Sequence, residues 1–149
     1  MTNIIDVDLI WGIILVSVTL KCWIGQIIIA FSPKVAAKIR IIEPESNLDS
    51  TFYTEMRGAT IWDATILWTL PIAGILLIIN NSLWTYFGLV GGGMYLYFIG
   101  RTVTNNLTLH RNEVNIGSSK KLKVKLMVFT LWGFVAIVTI IMAVMDLAS

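Results

Sequence analysis

Charge is the scarcest property of this chain. Of its 149 residues only 13% are Asp, Glu, Lys or Arg, against roughly 25% in ordinary soluble domains. Hydrophobic residues make up 56% and the mean hydropathy is +0.80. A water-soluble enzyme needs a polar shell, and this composition cannot supply one. Cysteine is nearly absent too. Cys22, the single example, can form no internal disulfide and no zinc cluster, so a lipid-facing or packing role is expected. The lone His110 has Glu113 three residues on, which is one ligand pair short of a metal site, and it reads as an ordinary cytosolic residue. No HExxH, Walker sequence, GxSxG or strand-borne dinucleotide glycine loop occurs, so no cofactor is expected.

The hydrophobic residues that are present gather in four long runs, at 9–31, 59–79, 87–104 and 126–145. Each is about long enough to cross a hydrocarbon core of roughly 30 Å at about 1.5 Å per helical residue. The chain is therefore read as all-α: one domain over 1–149, with four transmembrane helices in an antiparallel bundle. The first run carries one charge, Lys21, and the last carries none. Pro71 lies inside the second, where its missing N–H should permit a kink. The leader MTNIIDVD is acidic, unlike the basic start of a secretory signal, and no cleavage site follows it. The first run is expected to stay attached as a helix.

Lysine and arginine divide unevenly between the connecting segments. The stretch 32–58 holds Lys34, Lys38, Arg40 and Arg57, and the stretch beyond Arg101 holds Arg111, Lys120, Lys121, Lys123 and Lys125. Neither tail nor the short turn near 80–86 has any. By the positive-inside rule the segments 32–58 and 105–122 are cytoplasmic loops and both termini lie outside. The run KKLKVK at 120–125 stands just before the last helix, where its lysines are expected to meet anionic lipid headgroups. No zinc, helix-turn-helix or RNA-binding signature accompanies them, so nucleic acid is not an expected partner. Pro33 can start a short interfacial helix reaching Ile42, with Val35, Ile39 and Ile42 on one side, or the segment is an ordinary connector.

Gly88 and Gly92 have GxxxG spacing, which lets helix backbones approach closely in lipid. They suit a neighbouring helix of the same chain or another subunit equally. Trp11, Trp84 and Tyr86 fall near one expected membrane boundary, and Tyr53 and Trp62 near the other. Trp23, Trp68 and Trp132 lie deeper, where they either pack the bundle or line an apolar ligand cavity. No internal repeat supports a small inverted-repeat transporter.

Six polar residues are biased toward the expected cytoplasmic half: Lys21, Glu55, Arg57, Asp63, Arg101 and Asn105. Asp63 is roughly 6 to 7 Å into its run and Lys21 roughly 15 Å from the end of the first, by the helical rise. Charges at such depth need each other, water or a ligand. One reading is a polar cavity opening inward, in which Glu55 or Asp63 moves a proton, Arg57 or Arg101 stabilises an anion and Lys21 tunes the carboxylate. The other is an ion-pair network that only holds helices together.

The elements Glu55-Met56-Arg57-Gly58 and Gly100-Arg101-Thr102-Val103 together resemble a widespread group of small four-helix membrane proteins of unknown function. In that group an E-x-R-x-x-x-G-like motif precedes the second helix and the third ends near G-R. The likeness spans about 33–103 and departs at Ala59 and Thr60, where a further small, glycine-rich element would stand. It implies a fold more readily than an activity. Membrane glutathione-transferase and eicosanoid-metabolising proteins are of similar size and share the Gly100-Arg101 element superficially. Their E-R followed by A-x-x-N pattern is missing from 55–65, so no thiol-transfer site is assigned to Cys22 or Arg101. The functional expectation is a non-enzymatic accessory or scaffold subunit of a larger membrane assembly, in contact with lipids and other integral subunits. The alternative is a membrane enzyme or binding protein for a lipid-like small molecule.

Overall fold

The computed structural model describes residues 7–148; the first six residues of the acidic leader and the final residue lie outside them. The described residues are all-α. Helix α1 is Val7–Phe31, α2 is the short Pro33–Lys38, α3 is Ser50–Ile66, α4 is Thr69–Ile78, α5 is Trp84–Arg111 and α6 is Ser119–Leu147. Helices α3 and α4 form one long, interrupted rod, so the chain makes four long helices. Three of them, Val7–Phe31, Ser50–Ile78 and Ser119–Leu147, are long and apolar enough to cross a membrane. The chain is thus a multi-pass, all-α membrane protein. Helix α5 has 28 residues, but its glycines and its polar end dilute the apolar run that the sequence placed at 87–104.

Local chemistry explains the ends of these helices. Asp49 caps α3, its Oδ1 accepting from the backbone N–H groups of Thr51 at 2.9 Å and Phe52 at 3.0 Å, and so starts the helix well before the apolar run at 59. The interruption after Ile66 lies one turn before Pro71, which cannot donate to Leu67. Side chains add bonds at the carbonyls just before the break: Trp68 Nε1 donates to Thr65 O at 2.9 Å and Thr69 Oγ1 to Ile66 O at 3.0 Å, which suits an interrupted helix in lipid. Helices α2, α4 and α5 all stop with one residue in the left-handed region, Arg40, Asn80 and Glu113. In each case the following N–H reaches back five residues along the turn, as from Val114 to Leu109 O at 3.1 Å.

The polar stretch 105–122, expected as a loop, is mostly helix. Residues 105–111 extend α5, where Asn105 and Asn106 meet neighbouring groups that hold them in the helix, and 119–122 open α6. Helix α2 stops at Lys38 rather than at Ile42. The stretch 32–58 also contains a 3-10 turn, Glu45–Asn47, and the first half of α3.

Small residues set the helix spacing. A Cβ on Gly12 would stand 3.0 Å from Gly74 O, and one on Gly74 would stand 3.0 Å from the backbone N of Val16, so α1 and α4 meet backbone to backbone. A Cβ on Gly91 would lie 2.7 Å from the backbone N of Leu70, seating α5 on α4. Gly88 faces Thr139 and Ala143, and Gly92 faces Ala136 and Ile140. The GxxxG pair therefore seats α6 of the same chain, and the two helices run in opposite directions. Between these seams sit Leu15, Cys22, Leu67, Leu70, Tyr95, Phe98 and Phe129. Cys22 is packed in this core and not turned to lipid. Buried polar groups are bonded across it: Tyr95 Oη donates to Thr19 O at 2.9 Å, and Trp23 Nε1 to Ala64 O at 2.8 Å. The outer faces, in contrast, display Ile13, Ile24, Phe134 and Ile141, as a lipid-facing surface should.

Candidate functional site

Helical spacing carries the site. On α3, Glu55, Ala59 and Asp63 recur every four residues, and on α5, Phe98, Arg101, Thr102 and Asn105 recur at three and four. On α6, Lys121, Lys125, Val128 and Trp132 do the same. Such residues share a helix face, and the three faces enclose one cavity of about 740 Å³. The last turns of α1 contribute Gln26 and Ile29, and the segments 40–48 and 116–118 form its rim. The chain at and beside these two segments is tied together. Lys121 Nζ lies 2.9 Å from Glu43 Oε1, and Asp49 N–H donates to Asn115 O at 2.9 Å.

Helices α3 and α5 touch little except through two polar ties along the cavity. Glu55 Oε1 accepts from Asn105 Nδ2 at 3.1 Å. Two turns along α3, Arg101 Nη2 donates to Asp63 Oδ2 at 2.7 Å. The Asp63 side chain is 3% exposed and that of Arg101 30% exposed, so the carboxylate is the buried partner and the guanidinium reaches outward. Arg101 also stands over the Tyr97 ring, 5.7 Å from its centroid. The other carboxylate oxygen, Asp63 Oδ1, is buried and has no hydrogen-bond partner in the protein. A buried acceptor left in this state is costly, which makes it the chemically most distinctive atom of the site.

The rest of the lining is largely apolar. Phe98 and Phe129 meet edge to face with centroids 5.6 Å apart, and Trp132 lies 5.6 Å beyond Phe129. Lys125 holds its ammonium 5.7 Å above the Phe129 ring. The cavity thus has an aromatic wall, a buried carboxylate and a basic rim. It can accept an apolar body, receive a hydrogen bond at Asp63 Oδ1 and attract an anion.

Of the six polar residues singled out in the sequence, Glu55, Asp63, Arg101 and Asn105 line this cavity. Lys21 and Arg57 do not. Lys21 is exposed on the side of α1 away from the stripe Leu15, Thr19, Cys22 and Ile29, so it is too far round the helix to tune Asp63. Arg57 follows Glu55 by two residues and therefore points elsewhere, where its Nη2 donates to Ala30 O at 3.0 Å at the end of α1. Among the basic cluster, Lys120, Lys121 and Lys125 line the cavity, while Lys123 is exposed outside it. Of the three deeper tryptophans only Trp132 reaches the cavity. Glu43, Gln26, Asn106 and the Phe98–Phe129 pair were missed. The four-residue recurrence from Lys121 to Lys125 was a visible signal for the α6 wall, but nothing in sequence announces which loop residue will fold back to the rim. His110 is exposed, and among the described residues no group of three His, Cys, Asp or Glu side chains could hold a metal ion. No family model, curated protein or solved structure matches this chain.

Proposed function

We propose that the protein is an integral-membrane binding protein for a lipid-like amphiphile, held in the cavity between α3, α5 and α6. In this reading the four long helices form an antiparallel transmembrane bundle, α5 being the remaining span because it is seated between α4 and α6. Both termini lie outside, and the lysine- and arginine-rich segments 32–58 and 105–122 lie in the cytoplasm. The cavity then opens at the cytoplasmic leaflet, with Lys120 and Lys123 at headgroup depth.

The observation that carries the reading is the unpartnered, buried Asp63 Oδ1 within a cavity walled mainly by apolar side chains. Its volume of about 740 Å³ falls in the range of small-molecule sites. An accessory-subunit role draws less support. Gly88 and Gly92, the residues best suited to an outside subunit, are covered by α6.

Gentle purification followed by native mass spectrometry tests the proposal. The protein should carry a distinct amphiphile in fixed stoichiometry, and Val128→Trp, which fills the cavity from the α6 wall, should release it. A wild-type protein that holds no amphiphile but a stoichiometric protein partner would overturn this reading in favour of an accessory subunit.

A further inference from the structure

We infer that the bound amphiphile is anionic and carries a hydroxyl group beside its charge, the anion meeting Lys125 and the hydroxyl donating to Asp63 Oδ1. This rests on the amphiphile-binding reading above and narrows it to one ligand class.

The sign of the charge follows from the ions that line the cavity. Asp63 is already matched by Arg101 and Glu43 by Lys121, while Glu55 accepts from Asn105. Arg40, Lys120 and Lys125 also line the cavity, and among the described residues none of them forms an ion pair. Arg40 and Lys120 are exposed, but Lys125 is half-buried, where hydration compensates its charge less fully. An anion inside the cavity would supply what water supplies less well there.

The hydroxyl follows from Asp63. Its residue exposure is 2%, Oδ2 is occupied and Oδ1 is not, so the site asks for a donor. A cationic donor is disfavoured, because Arg101 at 2.7 Å already neutralises the carboxylate. A neutral O–H satisfies the oxygen without adding charge.

The helix register places Arg101, and with it Asp63, toward the same end of the cavity as Lys125. Helices α5 and α6 run in opposite directions, and Phe98 meets Phe129 at 5.6 Å. One turn along α5 from Phe98 is Arg101, bonded to Asp63, and one turn back along α6 from Phe129 is Lys125. The acyl part then lies along the Phe98, Phe129 and Trp132 wall.

Binding of defined lipids to the delipidated full chain, read by native mass spectrometry in detergent, decides the matter. The probes are dioleoyl-phosphatidylglycerol (anion and hydroxyl), dioleoyl-phosphatidylmethanol (anion alone), dioleoylglycerol (hydroxyl alone), dioleoyl-phosphatidylcholine (zwitterion, no hydroxyl) and soluble glycerol 3-phosphate (the polar group without chains). Phosphatidylglycerol should bind about tenfold or more tighter than each of the other lipids. Lys125→Gln should shrink its advantage over dioleoylglycerol, and Asp63→Asn its advantage over phosphatidylmethanol. Should Asp63→Asn fail to fold, the wild-type panel and Lys125→Gln still decide. Equal binding of dioleoylglycerol or phosphatidylcholine would overturn the anionic assignment and leave the amphiphile reading standing. Equal binding of phosphatidylmethanol would overturn the hydroxyl assignment alone. Glycerol 3-phosphate binding as tightly as phosphatidylglycerol would show a soluble anion to be the ligand and overturn the lipid. Lipid binding that is absent, or untouched by Val128→Trp, would overturn both readings.

Discussion

Replacing Gly91 with alanine should weaken the protein, although alanine is the better helix former. A Cβ at this position would stand 2.7 Å from the backbone N and 2.9 Å from the Cα of Leu70. Both atoms belong to the main chain of α4, which cannot rotate aside as a side chain can. Inserting a methyl group into such a contact costs about 1–3 kcal/mol, while the gain in helix propensity is about 1 kcal/mol. The net loss should approach 2 kcal/mol at the upper end, on these same scales. Gly93 is an internal control on the same helix: nothing lies within 4 Å of its Cβ position, so Gly93→Ala keeps only the propensity gain. The two substitutions should thus differ by about 1–3 kcal/mol, the cost of the contact itself. Reversible unfolding in mixed detergent micelles, followed by tryptophan fluorescence, measures the difference. If both alanines shift the midpoint equally, the close α4–α5 approach does not exist in the folded protein and the spacing argument fails.

Three further outcomes follow from the same geometry. Arg101→Gln should cost about 3 kcal/mol, the lower end for breaking a buried pair because the Arg101 side chain is 30% exposed. The Asp63→Asn/Arg101→Gln double variant should recover much of that loss in the same titration, and a double variant no more stable than the single one would remove the ion pair from the account. Asp49→Ala deletes the cap of α3 and should lower stability by about 1 kcal/mol, with circular dichroism showing fraying limited to the first turns. Cys22, 2% exposed in the core, should resist maleimide in the folded protein and react on unfolding; rapid labelling in native micelles would contradict its placement.

Much of the fold was legible in the sequence because lipid leaves so few choices. Apolar runs gave the long helices, and Pro71 marked the interruption in the second rod. Glycine spacing in α5 gave the close seam but not its partner: Gly12, Gly74 and Gly91 do not form GxxxG pairs along one helix, and their significance appears only when two helices are brought together. The end of α5 was hidden for a different reason. Asn105 and Asn106 read as loop residues, yet Asn106 Nδ2 donates to Thr102 O at 2.7 Å and Asn105 reaches Glu55, so each is satisfied in a helix. The site was half legible. Glu55 and Asp63 share a face by spacing alone, as do Arg101 and Asn105, but Lys21 and Arg57 looked equally suitable by depth. Depth is one coordinate of a helical residue, and the angle about the axis is the other. That angle depends on which face each helix buries, which tertiary packing decides.

The interruption at Leu67 and Trp68 divides the second rod into lengths that answer to different kinds of change. Beyond it, α4 is gripped on two sides, by α1 at Gly74 and by α5 at Leu70, so its substitutions will be sorted by size. Before it, α3 borders open volume and is joined to α5 through Asp63 and Glu55, so its substitutions will be sorted by charge and hydrogen bonding. A backbone ladder broken between them keeps an adjustment in one from being passed on rigidly to the other. The cavity wall is therefore free to diversify in chemistry across descendants of this chain while the glycine seam holds the bundle constant, and a saturation scan of Ser50–Ile78 should show the boundary between the two regimes at this break.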